Sequence, residues 1–220
     1  PGASTAELDA IALQEITKRD AIPSFKGYRG YPAHLCVSIN DEVVHGIPSA
    51  RVIHDGDIVG LDVGAIVKGF QGDAAVTVGV GLKDPKAQEL VETARGALEE
   101  GIKAAKCGVR LGDVSAAIQS YVEARGFSVV REYVGHGIGR QMHEEPAVPN
   151  YGTPGRGLIL QKGLVLALEP MVNMGDWRTK VKEDGWTVVT ADGSLSAHFE
   201  HTIAITDGDA EVLTRGDSYS

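Results

Sequence analysis

LDVGAIVKGFQGD, residues 61–73, is the stretch on which the reading of this chain turns. Residues 57–66 (DIVGLDVGAI) and 70–80 (FQGDAAVTVGV) are rich in β-branched side chains, with turn chemistry between them, the pattern of two paired strands. An antiparallel hairpin turning near Val67-Lys68 would set Asp62 opposite Asp73, with Cβ atoms about 5 Å apart on one face. Two like charges so placed repel unless a cation lies between them. Two solvated aspartates on an exposed face would give the same pattern, so the rest of the chain decides.

The chain has 220 residues, enough to bury a core without staples, and a single domain over residues 1–220 is expected. A net charge of -9 lacks the basic footprint of a nucleic-acid binder. No apolar run approaches the roughly 18–20 residues of a membrane span, and no signal-peptide pattern is present. Cys36 and Cys107 have neither metal nor disulfide spacing and read as buried, reduced thiols. Together these features point to a cytoplasmic location. The opening at Pro1-Gly2, without Met, suits a numbering that begins inside a longer gene product.

Outward from the hairpin, Ser4 and Glu7 form a capping-box pattern for a helix over Thr5–Arg19. Residues 20–33 read as a loop carrying Phe25, Tyr28 and Tyr31, and His34–Ile39 as a short strand. His45 lies in a turn before Gly46. Asp84-Pro85 starts a helix that runs to Gly108, and Asp113 caps another that ends at Gly126. Strands are expected at 127–131, at 163–172 broken by Glu169-Pro170, and at 197–206, with a hairpin at 177–190. The segment GHGIGRQMHEEP reads as a glycine-rich loop holding His136 and His143.

Five groups stand out: Asp62, Asp73, His136, Glu169 and Glu200. Each sits in or beside an apolar or glycine-rich element. Glu169 ends the run Leu164–Leu168, where an unpaired carboxylate would be costly. Taken singly, each reads more readily as a capped loop histidine or a salt-bridged carboxylate. Four carboxylates and one imidazole on strands of one sheet suit a two-metal centre. An oxygen-rich set with no thiolate favours Mn, Fe(II), Co or Zn in a catalytic site over structural zinc.

With these groups in place the chain resembles the type I methionine aminopeptidases of the bacterial and organellar kind, from Pro1-Gly2 to Thr214. The matching stretches are GYRGYP (27–32), VVHGIP (43–48), GDIVGLDVG (56–64), GFQGD (69–73), GHGIGR (135–140), MHEEP (142–146), LALEPM (166–171), EDGWT (183–187) and SLSAHFEHT (194–202). The resemblance implies a pita-bread α/β (α+β) fold, two pseudo-two-fold halves whose curved antiparallel sheet carries helices on its outer face. It implies hydrolysis of the peptide bond after an N-terminal methionine with a small second residue, through a hydroxide bridging two divalent metals. Asp62 would hold one metal, His136 and Glu169 the other, with Asp73 and Glu200 bridging. His143 would bind the substrate carbonyl and developing oxyanion, His45 would lie near the scissile amide, and Glu169 would also serve as general base. Tyr28, Tyr31, Cys36, Met142 and Trp186 would line the methionine pocket. Such an enzyme would act as a monomer on nascent polypeptide N-termini, near the ribosome, in the cytoplasm or an organelle.

Gln141-Met142 stands where the family usually has a Gly-Phe or similar pair, and Phe25 where small residues are common, so both bear on the pocket rim. Asn40 and Ser196 match a monovalent-cation site and read equally well as ordinary loop polars. The helical stretch that the family carries before Pro-Gly is absent from the sequence. Two other readings compete: a proline-directed (Xaa-Pro) peptidase of the same fold, and a pita-bread binding protein without catalysis. The first generally adds an N-terminal domain, and the second loses metal ligands, whereas all five are present here.

Overall fold

The computed structural model describes residues 1–216. The hairpin forms as Ile58–Val67 and Phe70–Gly79, joined by Lys68-Gly69 with both residues at positive φ (52° and 80°), as a two-residue hairpin turn demands. The turn lies one residue later than the sequence reading placed it. Asp62 therefore pairs with Ala75, and Asp73 with Gly64. The two aspartates are diagonal neighbours rather than directly opposite, still on one face of the sheet.

This hairpin seeds a nine-stranded antiparallel sheet. The order from one edge is Ile22–Pro23, Ile58–Val67, Phe70–Gly79, Glu200–Ala204, Val165–Leu168, Gly135–Gly137 and Glu144–Val148. Cys36–Ile39 adds to the hairpin's first strand, and Glu211–Val212 to Glu200–Ala204. Two expected strands each divide between sheets. Pro170 separates Val165–Leu168 from Met171–Asn173, and Phe199 separates Ser196–His198 from Glu200–Ala204. The hairpin Thr179–Val181/Val188–Thr190 forms as read. His136 lies in a strand, not in a loop, and His143 directly precedes another.

Three helices pack on this frame: α1 (Thr5–Thr17), α2 (Pro85–Ala104) and α3 (Leu111–Glu123). The capping box of α1 forms, with Ser4 N–H donating to Glu7 Oε2 at 2.7 Å. Helix α2 stops at Ala104, four residues before Gly108, because Ala105 leaves the helical region. Asp113 does not cap α3 from outside. It sits in the first turn and accepts the N–H of the N-cap residue Arg110 at 3.1 Å.

The two halves of the chain repeat bond for bond ahead of α1 and α3. Gly2, Thr5 and Ala6 donate to the carbonyls of Ile53, Arg51 and Ser49, while Gly108, Leu111 and Gly112 donate to those of Leu160, Leu158 and Arg156. Ile53 returns a bond to Ala3, as Leu160 does to Val109. Both glycines take positive φ, 89° and 87°. The halves differ in cover. Beside α3, helix α2 buries Leu90, Val91, Ala94, Leu98 and Ile102 in the main core with Leu166, Leu168 and Ile203. Beside α1, Leu8, Ile11, Leu61, Val63 and Val76 line an open apolar groove of about 570 Å³.

Candidate active site

All five candidate ligands lie on the inner face of this sheet. The hairpin brings Asp62 and Asp73, the ends of Val165–Leu168 and Glu200–Ala204 bring the two glutamates, and Gly135–Gly137 carries His136. Ligating atoms of Asp73, His136 and Glu200 lie within 4.8 Å of one another. His136 Nε2 is 3.6 Å from Glu169 Oε1. On its other side, His136 Nδ1 lies 2.9 Å from the carbonyl oxygen of Gly137. A carbonyl accepts only, so the proton sits on Nδ1 and the Nε2 lone pair faces the carboxylates.

The electrostatics are those of a cation site. Asp62, Glu169 and Glu200 are pushed well above the usual carboxylate range, first by burial and then by the charge of Asp73. Burial raises Asp73 to about 7. Asp62 Oδ1, Asp73 Oδ1 and Glu200 Oε1 are buried without any hydrogen-bond partner. Among the described residues, no Lys or Arg forms a salt bridge with these four acids. Four clustered carboxylates, three of them with an orphaned oxygen, and one imidazole lone pair fit divalent cations.

The same cavity, of about 140 Å³, is also lined by Phe25, Tyr28, Tyr31, Cys36, Met142 and Trp186, with His45, His143 and Arg29. Every site residue read from the sequence is therefore in one place. Phe25 stands in the wall itself, buried and edge-on to Tyr31 at 6.4 Å. Gln141 is exposed and does not line the cavity, so only Met142 of that pair bears on its shape. The Tyr31 hydroxyl donates to Gly46 O at 2.9 Å, tying the aromatic loop to the turn that holds His45 at φ 61°. Asp184 accepts the N–H of Trp186 at 2.8 Å and so fixes the start of that wall. Burial pushes the Cys36 thiol well up, which keeps it an apolar lining group. Cys107, read as buried, is exposed, and both cysteines are free.

His143 and His45 are set for hydrogen bonding rather than charge. Burial, then the neighbouring His136, lowers the His143 pKa to about 4, and burial lowers that of His45. The Tyr28 hydroxyl is 2.8 Å from His143 Nδ1, and the two rings stack at 5.4 Å. The side chains of Asn40 and Ser196 are already committed. Asn40 Nδ2 donates to Asp57 Oδ1 at 2.8 Å, and the Ser196 hydroxyl donates to Asn173 Oδ1 at 2.9 Å.

Two residues of the site were not read from the sequence. Arg29 lines the cavity and lies over the Tyr28 ring at 5.3 Å. His198, 4% exposed, has Nε2 at 3.9 Å from Glu169 Oε2 and 3.8 Å from Glu200 Oε2. The signal for His198 was present: residues two apart in an extended chain share a face, and His198 stands two before Glu200.

The sequence model of metallopeptidase family M24 matches residues 1–207. The methionine aminopeptidase of Clostridium acetobutylicum is 54% identical over 215 residues, covering 97% of this chain and 86% of that relative. Methionine aminopeptidase 1 of Bacillus subtilis is also 54% identical, covering 98% and 87%. The crystal structure of methionine aminopeptidase from Thermotoga maritima superposes with a TM-score of 0.97 at 55% identity, over 98% of this chain and 87% of that one. On sequence and fold alike, the chain belongs to metallopeptidase family M24, among the methionine aminopeptidases.

Proposed function

We propose that this chain hydrolyses the peptide bond after an N-terminal methionine, at a centre of two divalent metals held by Asp62, Asp73, His136, Glu169 and Glu200. The observation that carries this reading is the shared cavity, lined by the carboxylates and by sulfur and aromatic side chains together. A thioether gains from polarizable and aromatic neighbours, and the whole cavity of about 140 Å³ is small enough to admit a terminal residue rather than a length of peptide. An N-terminal residue enters such a recess, and its ammonium meets the carboxylates.

When bound, the metal pair supplies Lewis-acid polarisation of the scissile carbonyl and an acidified water. The protein supplies the rest. If the Tyr28 hydroxyl donates to His143 Nδ1, the His143 proton sits on Nε2 and donates to the carbonyl oxygen as negative charge develops there. Glu169 takes a proton from the attacking water and returns it to the leaving amine. His45 lies beside the scissile amide. Tyr28, His45 and His143 crowd the mouth, which favours a small second residue. Mn, Fe(II), Co and Zn all suit the donor set. Nascent chains are the natural source of such N-termini.

The test is peptide cleavage by the chain loaded with Mn(II), Co(II) or Fe(II). Release of Met is expected from Met-Ala-Ser and Met-Gly peptides, with Met-Leu-Ser and N-acetylated Met-Ala-Ser cleaved far more slowly. Full metal occupancy with no Met released from either substrate would overturn the reading.

A further inference from the structure

His198 has no place in the scheme above, yet it is among the most tightly placed side chains at the centre. It is 4% exposed, and its Nε2 is buried with no hydrogen-bond partner. Its backbone is pinned on both sides by one hydroxyl: Thr77 Oγ1 donates to His198 O at 2.7 Å and accepts His198 N–H at 2.9 Å. The imidazole is thus delivered to a fixed point.

That point lies against the outer oxygens of two candidate ligands. Glu169 stands between two imidazoles, with Oε1 3.6 Å from His136 Nε2 and Oε2 3.9 Å from His198 Nε2. Glu200 turns Oε2 toward His198 at 3.8 Å and leaves Oε1 buried and unpartnered. Each glutamate thus has one oxygen, Oε2, on the His198 side.

We propose that His198 is a positioning residue whose Nε2–H holds the Oε2 atoms of Glu169 and Glu200, so that their Oε1 atoms are presented to the metals. This rests on the metal-centre reading above and adds the donor that orients it. Groups that orient metal ligands in this way are worth about 10–100-fold in metal affinity. A purely packing role for His198 would leave affinity untouched by loss of the donor alone.

Two substitutions of similar length separate the cases: His198→Gln keeps an N–H donor, and His198→Met removes it without opening a cavity. Mn(II) binding to the metal-free chain is measured by titration calorimetry, with a thermal melt of each metal-free variant. Weakening of at least one Mn(II) by about 10–100-fold is expected in His198→Met. His198→Gln should stay within a few-fold of the parent, and both variants should melt close to it. Parent-like affinity in His198→Met would overturn the proposal, as would equal weakening in the two. Mn(II) uptake by the parent without peptide cleavage would strike only the substrate assignment; no uptake at all would sink both.

Discussion

Removing the metals should leave a protein whose stability falls as pH rises through neutrality. In the metal-free chain Asp73 is held at about 7, and Asp62, Glu169 and Glu200 are held well above the usual range. In the unfolded chain all four ionise near pH 4. Between pH 6.5 and 8 the folded state therefore binds more protons than the unfolded state, and stability declines with pH. The depressed histidines, His143 at about 4 and His198 at about 3, act in the opposite direction but only below 6.5, where the unfolded imidazole charges. One carboxyl still protonated in the fold costs about 1.4 kcal/mol per pH unit, or roughly 2 kcal/mol across this window. The four are coupled, so one group's worth is the floor. For a chain of this size that lowers Tm by about 4–8 °C. The assay is a thermal melt in EDTA at pH 6.5, 7.2 and 8, repeated with saturating Mn(II). Metal should abolish the decline, because cations replace the protons. An EDTA melt that stays flat or rises with pH would refute the buried-carboxylate argument.

Three further outcomes are expected. His136→Ala should lose metal as well as turnover, whereas His143→Ala should keep its metal and its KM within a few-fold while kcat falls by roughly 10²–10³; equal metal loss in both would contradict the roles assigned here. Met142→Phe should sharpen the preference for Met over norleucine or Leu by replacing a flexible wall with a stiff one, and an unchanged ratio would remove Met142 from the specificity pocket. Gly64→Ala places a Cβ 2.6 Å from Phe25 and 2.9 Å from Met142, so it should push the recess inward and raise KM for Met peptides about tenfold, with metal content unchanged.

Much of the centre was legible because its ligands stand as lone polar groups in or beside apolar or glycine-rich elements. Glu169 was visible as an acid closing an apolar run, and Pro170 then sends the chain into another sheet. The hairpin was legible but its register was not. Placing the turn at Val67-Lys68 put the aspartates face to face, whereas Lys68-Gly69, the pair able to take positive φ together, makes them diagonal. The break at Phe199 was invisible, since nothing local distinguishes Ala197–Thr206 from one continuous strand. Helix α2 ends early at Ala105, an ordinary residue whose conformation is set by tertiary packing against its surroundings. The repeat of the two halves lies in backbone hydrogen bonds, with almost no shared side chains, so sequence alone did not reveal it.

The central claim is that five side chains from separate strands hold two metals between them. Crystals grown with Mn(II) and measured at the manganese edge test it most directly. Two anomalous peaks about 3.5–4 Å apart are expected, both bound to Asp73 and Glu200, one also to Asp62 and the other to His136 and Glu169. Full Mn(II) in solution with no peak at these carboxylates, or with peaks elsewhere on the chain, would contradict it.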